Sequence, residues 1–303
     1  MTQPDARPYL WMLGGSFAFT LMAEFAHVLT RVCDWQLVAV ARAGLVAVMA
    51  AVIARAAGAK LVFWPWRLWV RSVAGSCSMV CTFFAFAKLP AADVLTLTNT
   101  FPIWVAVLSW PLYGRPPGGK MLLAIGVGIV GVVLVEQPHL ESGNPGVYSA
   151  LAAAGFTAVA MLGLHSLKGI DPRAIVVHFS AVATVVCVAA YLVGPVEHDP
   201  AGAAEPGVLL QLVGMAVTAT VGQLFLTLAF GGGAPAKVSV VGLSQIVMGL
   251  AFDAWLWGRE VNAVALVGTA LVIAPTGWLL LRRGSPGTAA PGLAEEPHTR
   301  VPK

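Results

Sequence analysis

Apolar residues fill ten successive runs along the chain, at approximately 9–30, 36–56, 70–88, 91–113, 120–136, 147–168, 173–194, 207–230, 236–257 and 262–282. A membrane-spanning helix takes about 20 mainly apolar residues, so each run is predicted to cross a bilayer once. The breaks fall where turn chemistry sits: "RVCDW", "KLPAAD", "GRPPGGK", "EQPHLESGNPG", "KGIDPR", "GPVEHDPAGAAEPG", "GGGAPAK" and "GREVN". The pattern predicts an all-α integral membrane protein.

Composition agrees with the pattern. Of 303 residues, 58% are hydrophobic and 11% charged, and the mean hydropathy is +0.82; soluble domains carry about 25% charged residues. The net charge of +4 is small. No basic stripe, Gly-rich phosphate loop or zinc-type cysteine spacing appears, so nucleic-acid binding and nucleotide hydrolysis are not expected, nor are a cofactor or a metal. Cys33, Cys77, Cys81 and Cys187 lie in or beside apolar runs and read as small packing residues. The first run holds Glu24 and precedes no small-residue cleavage site, so it reads as a retained helix.

Where the charges fall sets the orientation. The side holding the N-terminus receives Arg7, Arg55, Lys60, Arg67, Arg71, Arg115, Lys120, Lys168, Arg173, Lys237, Arg282 and Arg283. The opposite side receives Arg31, Lys88 and Arg259 with the acids Glu136, Glu141, Glu197, Asp199 and Glu205. Basic loops stay inside, so both termini are expected in the cytoplasm of a cell whose plasma (inner) membrane holds the chain. Residues 284–303 are Pro/Gly-rich and read as a disordered cytoplasmic tail.

The halves resemble one another. "FAFAKLPAADVLTLTNTFPIWVAVLSWPLYGR" (84–115) aligns without gaps to "LAFGGGAPAKVSVVGLSQIVMGLAFDAWLWGR" (228–259), pairing Phe86 with Phe230, Thr100 with Ser244 and Gly114-Arg115 with Gly258-Arg259. Five spans per half is odd, so the second half enters the membrane inverted, an architecture of many secondary transporters. The expected units are 9–140 and 145–283. The arginine in "AVARAGLVA", the segments "KLPAAD" and "TNTFPIWVAVLSW", and the "LWGRE" closing span nine resemble the EamA-type members of the drug/metabolite transporter superfamily over about residues 9 to 283. "YGRPP" and Ile246 depart from that pattern. The resemblance implies a ten-helix carrier of small organic metabolites. It also implies a central cavity ringed by spans one to four and six to nine, with five and ten outside.

Polar residues inside the spans are the candidate site. Arg42 and Glu24 are each about six residues, roughly 9 Å, from the outer ends of spans two and one, so an ion pair between them is geometrically open. Arg42 reads either as a substrate-binding fork or as half of a static pair, and Glu24 as a coupling or gating acid. Asn99, Gln223 and Gln245 are amides at mid-membrane, where a ligand or another helix must satisfy them. Trp104 is a candidate stacking surface, and His178 a gate or an interfacial hydrogen-bonded residue. For the Ser and Thr hydroxyls, bonding to their own helix is expected.

The function expected is a secondary active transporter moving an amino acid-like, zwitterionic or anionic metabolite by alternating access. Proton coupling and exchange both stay open, as do monomer and homodimer. The alternatives are an integral membrane enzyme acting on lipid-linked substrates, for which no catalytic cluster is seen, and an exporter of hydrophobic cations.

Overall fold

A computed structural model of the chain describes residues 6–114, 118–138, 143–194 and 205–281. The expected tail at 284–303, with Arg115, Arg282, Arg283, Glu141, Glu197 and Asp199, lies outside the described residues. Twelve helices run through the rest: α1 (Arg7–Leu29), α2 (Trp35–Ala56), α3 (Trp66–Phe86), α4 (Ala91–Thr98), α5 (Phe101–Tyr113), α6 (Gly119–Glu136), α7 (Pro145–His165), α8 (Pro172–Val193), α9 (Pro206–Gly232), α10 (Pro235–Gly242), α11 (Ser244–Leu256) and α12 (Ala263–Leu281). Taken with α4–α5 and α10–α11 as one span each, ten segments are long and apolar enough to cross a membrane. The chain is a multi-pass membrane protein. Helices satisfy their own main chain, which a bilayer requires.

Two spans are broken where the sequence reading made them continuous. In the fourth, Pro102 sits in the first turn of α5 and has no N–H to give to Thr98, so the helix interrupts at Asn99 and Thr100. The ninth has Ile246 at the matching place and is interrupted at the single residue Leu243, with i→i+3 bonds from Leu243 N to Val240 O and from Ile246 N to Leu243 O. Helix starts recur 144 residues apart, Ala91 with Pro235 and Gly119 with Ala263.

Packing follows a small set of pairs. The broadest contacts are α1 with α9, α3 with α7, α2 with α8 and α6 with α12. The first two join in one apolar core holding Met12, Leu68, Leu164 and Phe230. A second core of Val38, Met79, Phe179 and Met215 gathers α2, α3, α8 and α9. Where α6 crosses α12 the backbones nearly touch: a Cβ on Gly131 would lie 2.7 Å from the Gly268 carbonyl, and one on Gly268 2.6 Å from that of Gly131. Only glycine permits that approach.

One boundary matters for the site. α3 begins at Trp66, four residues before the expected start at 70. Arg71, counted above among the charges at the cytoplasmic end of the third span, therefore lies a full turn inside the helix, and it is 1% exposed.

Candidate functional site

Arg42 is the eighth residue of α2 and points inward. It lines a void with Ala43, Val46, Met79, Phe179, Ser180, Ala183 and Gln223. The void measures about 10 Å³, the room of one water. Where the resemblance implies a central cavity, the space at Arg42 between α2, α3 and α8 is narrowed to this void, with Met79 and Phe179 in its wall.

The expected Glu24–Arg42 pair does not form. The Arg42 guanidinium donates from Nε to Met22 Sδ at 3.0 Å, and from Nη1 to Met79 Sδ. Thioethers are weak acceptors, so the cation is housed without being neutralised. Glu24 instead accepts from Trp257 Nε1 at 2.8 Å, tying α1 to the end of α11.

Arg71 is the residue the sequence reading missed. Its Nη2 donates to Gln223 Oε1 at 3.1 Å, and its Cζ lies 3.8 Å from the centre of the Phe179 ring. Nε and Nη1 are buried without hydrogen-bond partners among the described residues. A charge-assisted bond contributes about 1.5–3 kcal/mol and a desolvated cation–π contact about 2 kcal/mol. These only partly offset the several kcal/mol that burying an ion costs. One signal was legible: Arg71, Gly75 and Met79 follow at i, i+4, and Ser72 and Ser76 run beside them, a small and polar stripe within an apolar helix.

Gln223 thus joins two arginines. It touches Arg71 and walls the void that Arg42 enters. Ser180 is in the same wall, 1% exposed, and its Oγ has no partner among the described residues. His178 is next along α8; its Nδ1 meets Ser72 Oγ at 2.8 Å, and its ring stands edge-on to Trp69 at 4.7 Å.

The remaining candidates lie elsewhere. Asn99 caps α4 and donates to Leu95 O of its own helix at 2.8 Å. The main-chain carbonyl of Gln245 accepts from Thr20 Oγ1 at 3.4 Å. Trp104 is 40% exposed on α5 and does not line the Arg42 void. Hydroxyls in the spans mostly bond their own helix, as with Thr98 to Val94 O, Thr218 to Gly214 O and Thr220 to Ala216 O.

A second arginine cluster sits at the other end of the fold. Arg259 Nη1 is 3.0 Å from Asp253 Oδ2 and 3.6 Å from Glu136 Oε2, and its Nη2 donates to Val135 O at 2.8 Å. Gln137 and Asn262 exchange amide bonds beside it.

Residues 6–136 match the EamA-like transporter family. Over that stretch, somewhat under half of its length, the chain is similar to EamA-type transporters. The relatives it matches are named as transporters or exporters and not as enzymes. The chain is 29% identical over 209 residues to the pseudopaline exporter CntI of Pseudomonas aeruginosa (strain UCBPP-PA14), spanning 68% of this chain and 72% of that protein. It is 24% identical over 210 residues to an uncharacterized transporter of Helicobacter pylori (strain ATCC 700392 / 26695), spanning 68% and 70%. A crystal structure of 15% sequence identity superposes with a TM-score of 0.77 over 89% of this chain and 95% of its own. That likeness concerns the fold alone.

Proposed function

We propose that the chain is an EamA-type transporter that carries a small anionic or zwitterionic organic metabolite by alternating access, with Arg42 and Gln223 as ligands to it. The single observation that carries the reading is a guanidinium in the interior of the bundle whose hydrogen-bond partners are two thioethers. A static structural arginine gains from a carboxylate partner, whereas a binding arginine keeps its fork free for one. A cation-exporting site would want an unpaired acid beside the void, and Glu24 is engaged with Trp257.

Two inverted five-helix units, 9–140 and 145–283, are the frame of this proposal. The 144-residue recurrence of helix starts supports it. So does the contact pattern: replacing each span by its counterpart in the other half turns the α1–α9 contact into α7–α3 and leaves α2–α8 and α6–α12 unchanged. Arg42 lies on the α2–α8 contact, where such halves would rock against each other. Both termini are placed in the cytoplasm of the plasma membrane; the Lys/Arg asymmetry supports that even with Arg71 removed from the count.

The test is counterflow in proteoliposomes over amino acids, organic acids and cationic dyes, with and without a pH gradient. Uptake of acids or zwitterions that disappears in Arg42→Gln supports the reading. Uptake of dyes alone, or wild-type uptake by Arg42→Gln, defeats it.

A further inference from the structure

Arg42 and Arg71 come from different helices, neither meets a carboxylate among the described residues, and both converge on Gln223 and Phe179. We infer that the transported solute is a dianion with one acidic group for each guanidinium. The inference rests on the carrier reading above and names its substrate class.

The spacing can be read from α3. A Cβ on Gly75 would lie 3.2 Å from Arg71 Nη1, so that guanidinium rises to the level of Gly75. Arg42 Nη1 meets the sulfur of Met79. Gly75 and Met79 are successive positions on one face, about 6 Å apart along the axis. Two cations reaching α3 within about a turn of each other suit a short-chain dicarboxylate. A single carboxylate would leave one guanidinium unmet.

The groups around the pair fit a ligand. Among the described residues Arg71, 1% exposed, leaves Nε and Nη1 unpartnered, and Ser180 Oγ, also unpartnered, belongs to a residue in the wall of the Arg42 void. These are donors, and an acid supplies only acceptors. Phe179 and Gln223 cover Arg71 in the closed form and would be displaced from it by the second acidic group. Gly75 lets the Phe179 ring pack against α3 in this closed form: a Cβ there would lie 2.8 Å from it.

The experiment is a ligand titration of the full chain purified in detergent, followed by thermal shift. The probes are succinate, glutarate and adipate against butyrate, valerate and hexanoate. The wild type is expected to bind dicarboxylates at least tenfold more tightly than the monocarboxylates of equal length, and Arg71→Gln to bind the two series alike. Arg71→Met, which keeps the volume, serves as a second variant if the glutamine form fails to fold, and Arg71→Lys is expected to regain part of the preference. Equal binding of both series by the wild type, no binding of any probe, or an unchanged preference without Arg71 would overturn the inference. Counterflow separates this from the reading beneath it: zwitterions moving while dicarboxylates do not sinks the dianion and leaves the carrier, whereas dicarboxylates that bind but never cross uphold the site and remove the carrier.

Discussion

The two arginine clusters use the same side chain in opposite ways. Arg259 meets Asp253, Glu136 and a main-chain carbonyl, and so fixes the end of α6 to the connection between α11 and α12. Arg42 and Arg71 sit deeper among apolar helices and receive sulfur, a ring face and one amide oxygen. A guanidinium with its carboxylates in place is a fastener. One that bears the desolvation cost without them is, on the proposed reading, a binding group for an acid from outside the chain. The contrast separates structural from functional charge more sharply than burial does.

The largest effect that would sharpen this contrast is on transport. Arg42→Gln is expected to lower the initial rate of substrate uptake by roughly a hundredfold or more, since a charged ligand loses its ion partner, while size-exclusion profiles stay those of the wild type. Next comes stability at the other cluster. Arg259→Ala strands Glu136, which is 6% exposed, and should cost about 3 kcal/mol in a denaturation assay. The double variant Arg259→Met/Glu136→Met should recover most of that. A smaller change of opposite sign is expected at the inner site: Arg71→Met should raise thermal stability, by about 1 kcal/mol, because an uncompensated buried charge is replaced by a packed apolar chain. A loss of several kcal/mol there would make Arg71 a fastener too. Smallest is Glu24→Gln, which keeps an acceptor for Trp257 and should shift stability by less than about 0.5 kcal/mol. A large loss would restore the Glu24–Arg42 pair in some other conformation.

Much of the fold was legible because a bilayer enforces a simple rule, an apolar run of fixed length for each crossing. Pro102 even marked the break in the fourth span, although the matching break at Leu243 had no proline to announce it. The site was less legible. Arg42 and Gln223 stood out as polar groups at mid-membrane, and the structure brings them to one void. Arg71 was hidden because a charge near the start of a span looks like an ordinary cytoplasmic one; only the helix face it shares with Gly75 and Met79 sends it inward. Trp104 failed in the other direction, since position along a span says nothing of which way a ring turns, and here it faces out.

The central claim is that the water-sized void beside Arg42 opens to each side of the membrane in turn. Ser180→Cys, in a background where Cys33, Cys77, Cys81 and Cys187 are alanine, places a thiol in the wall of that void. Its modification by a membrane-impermeant anionic thiol reagent, applied from one face of sealed vesicles and then from the other, tests the claim directly. Labelling from both faces, slowed by transported substrate and lost when Arg42 is glutamine, is the predicted result. A thiol that reacts from neither face, or from one face only whatever is bound, would contradict the account.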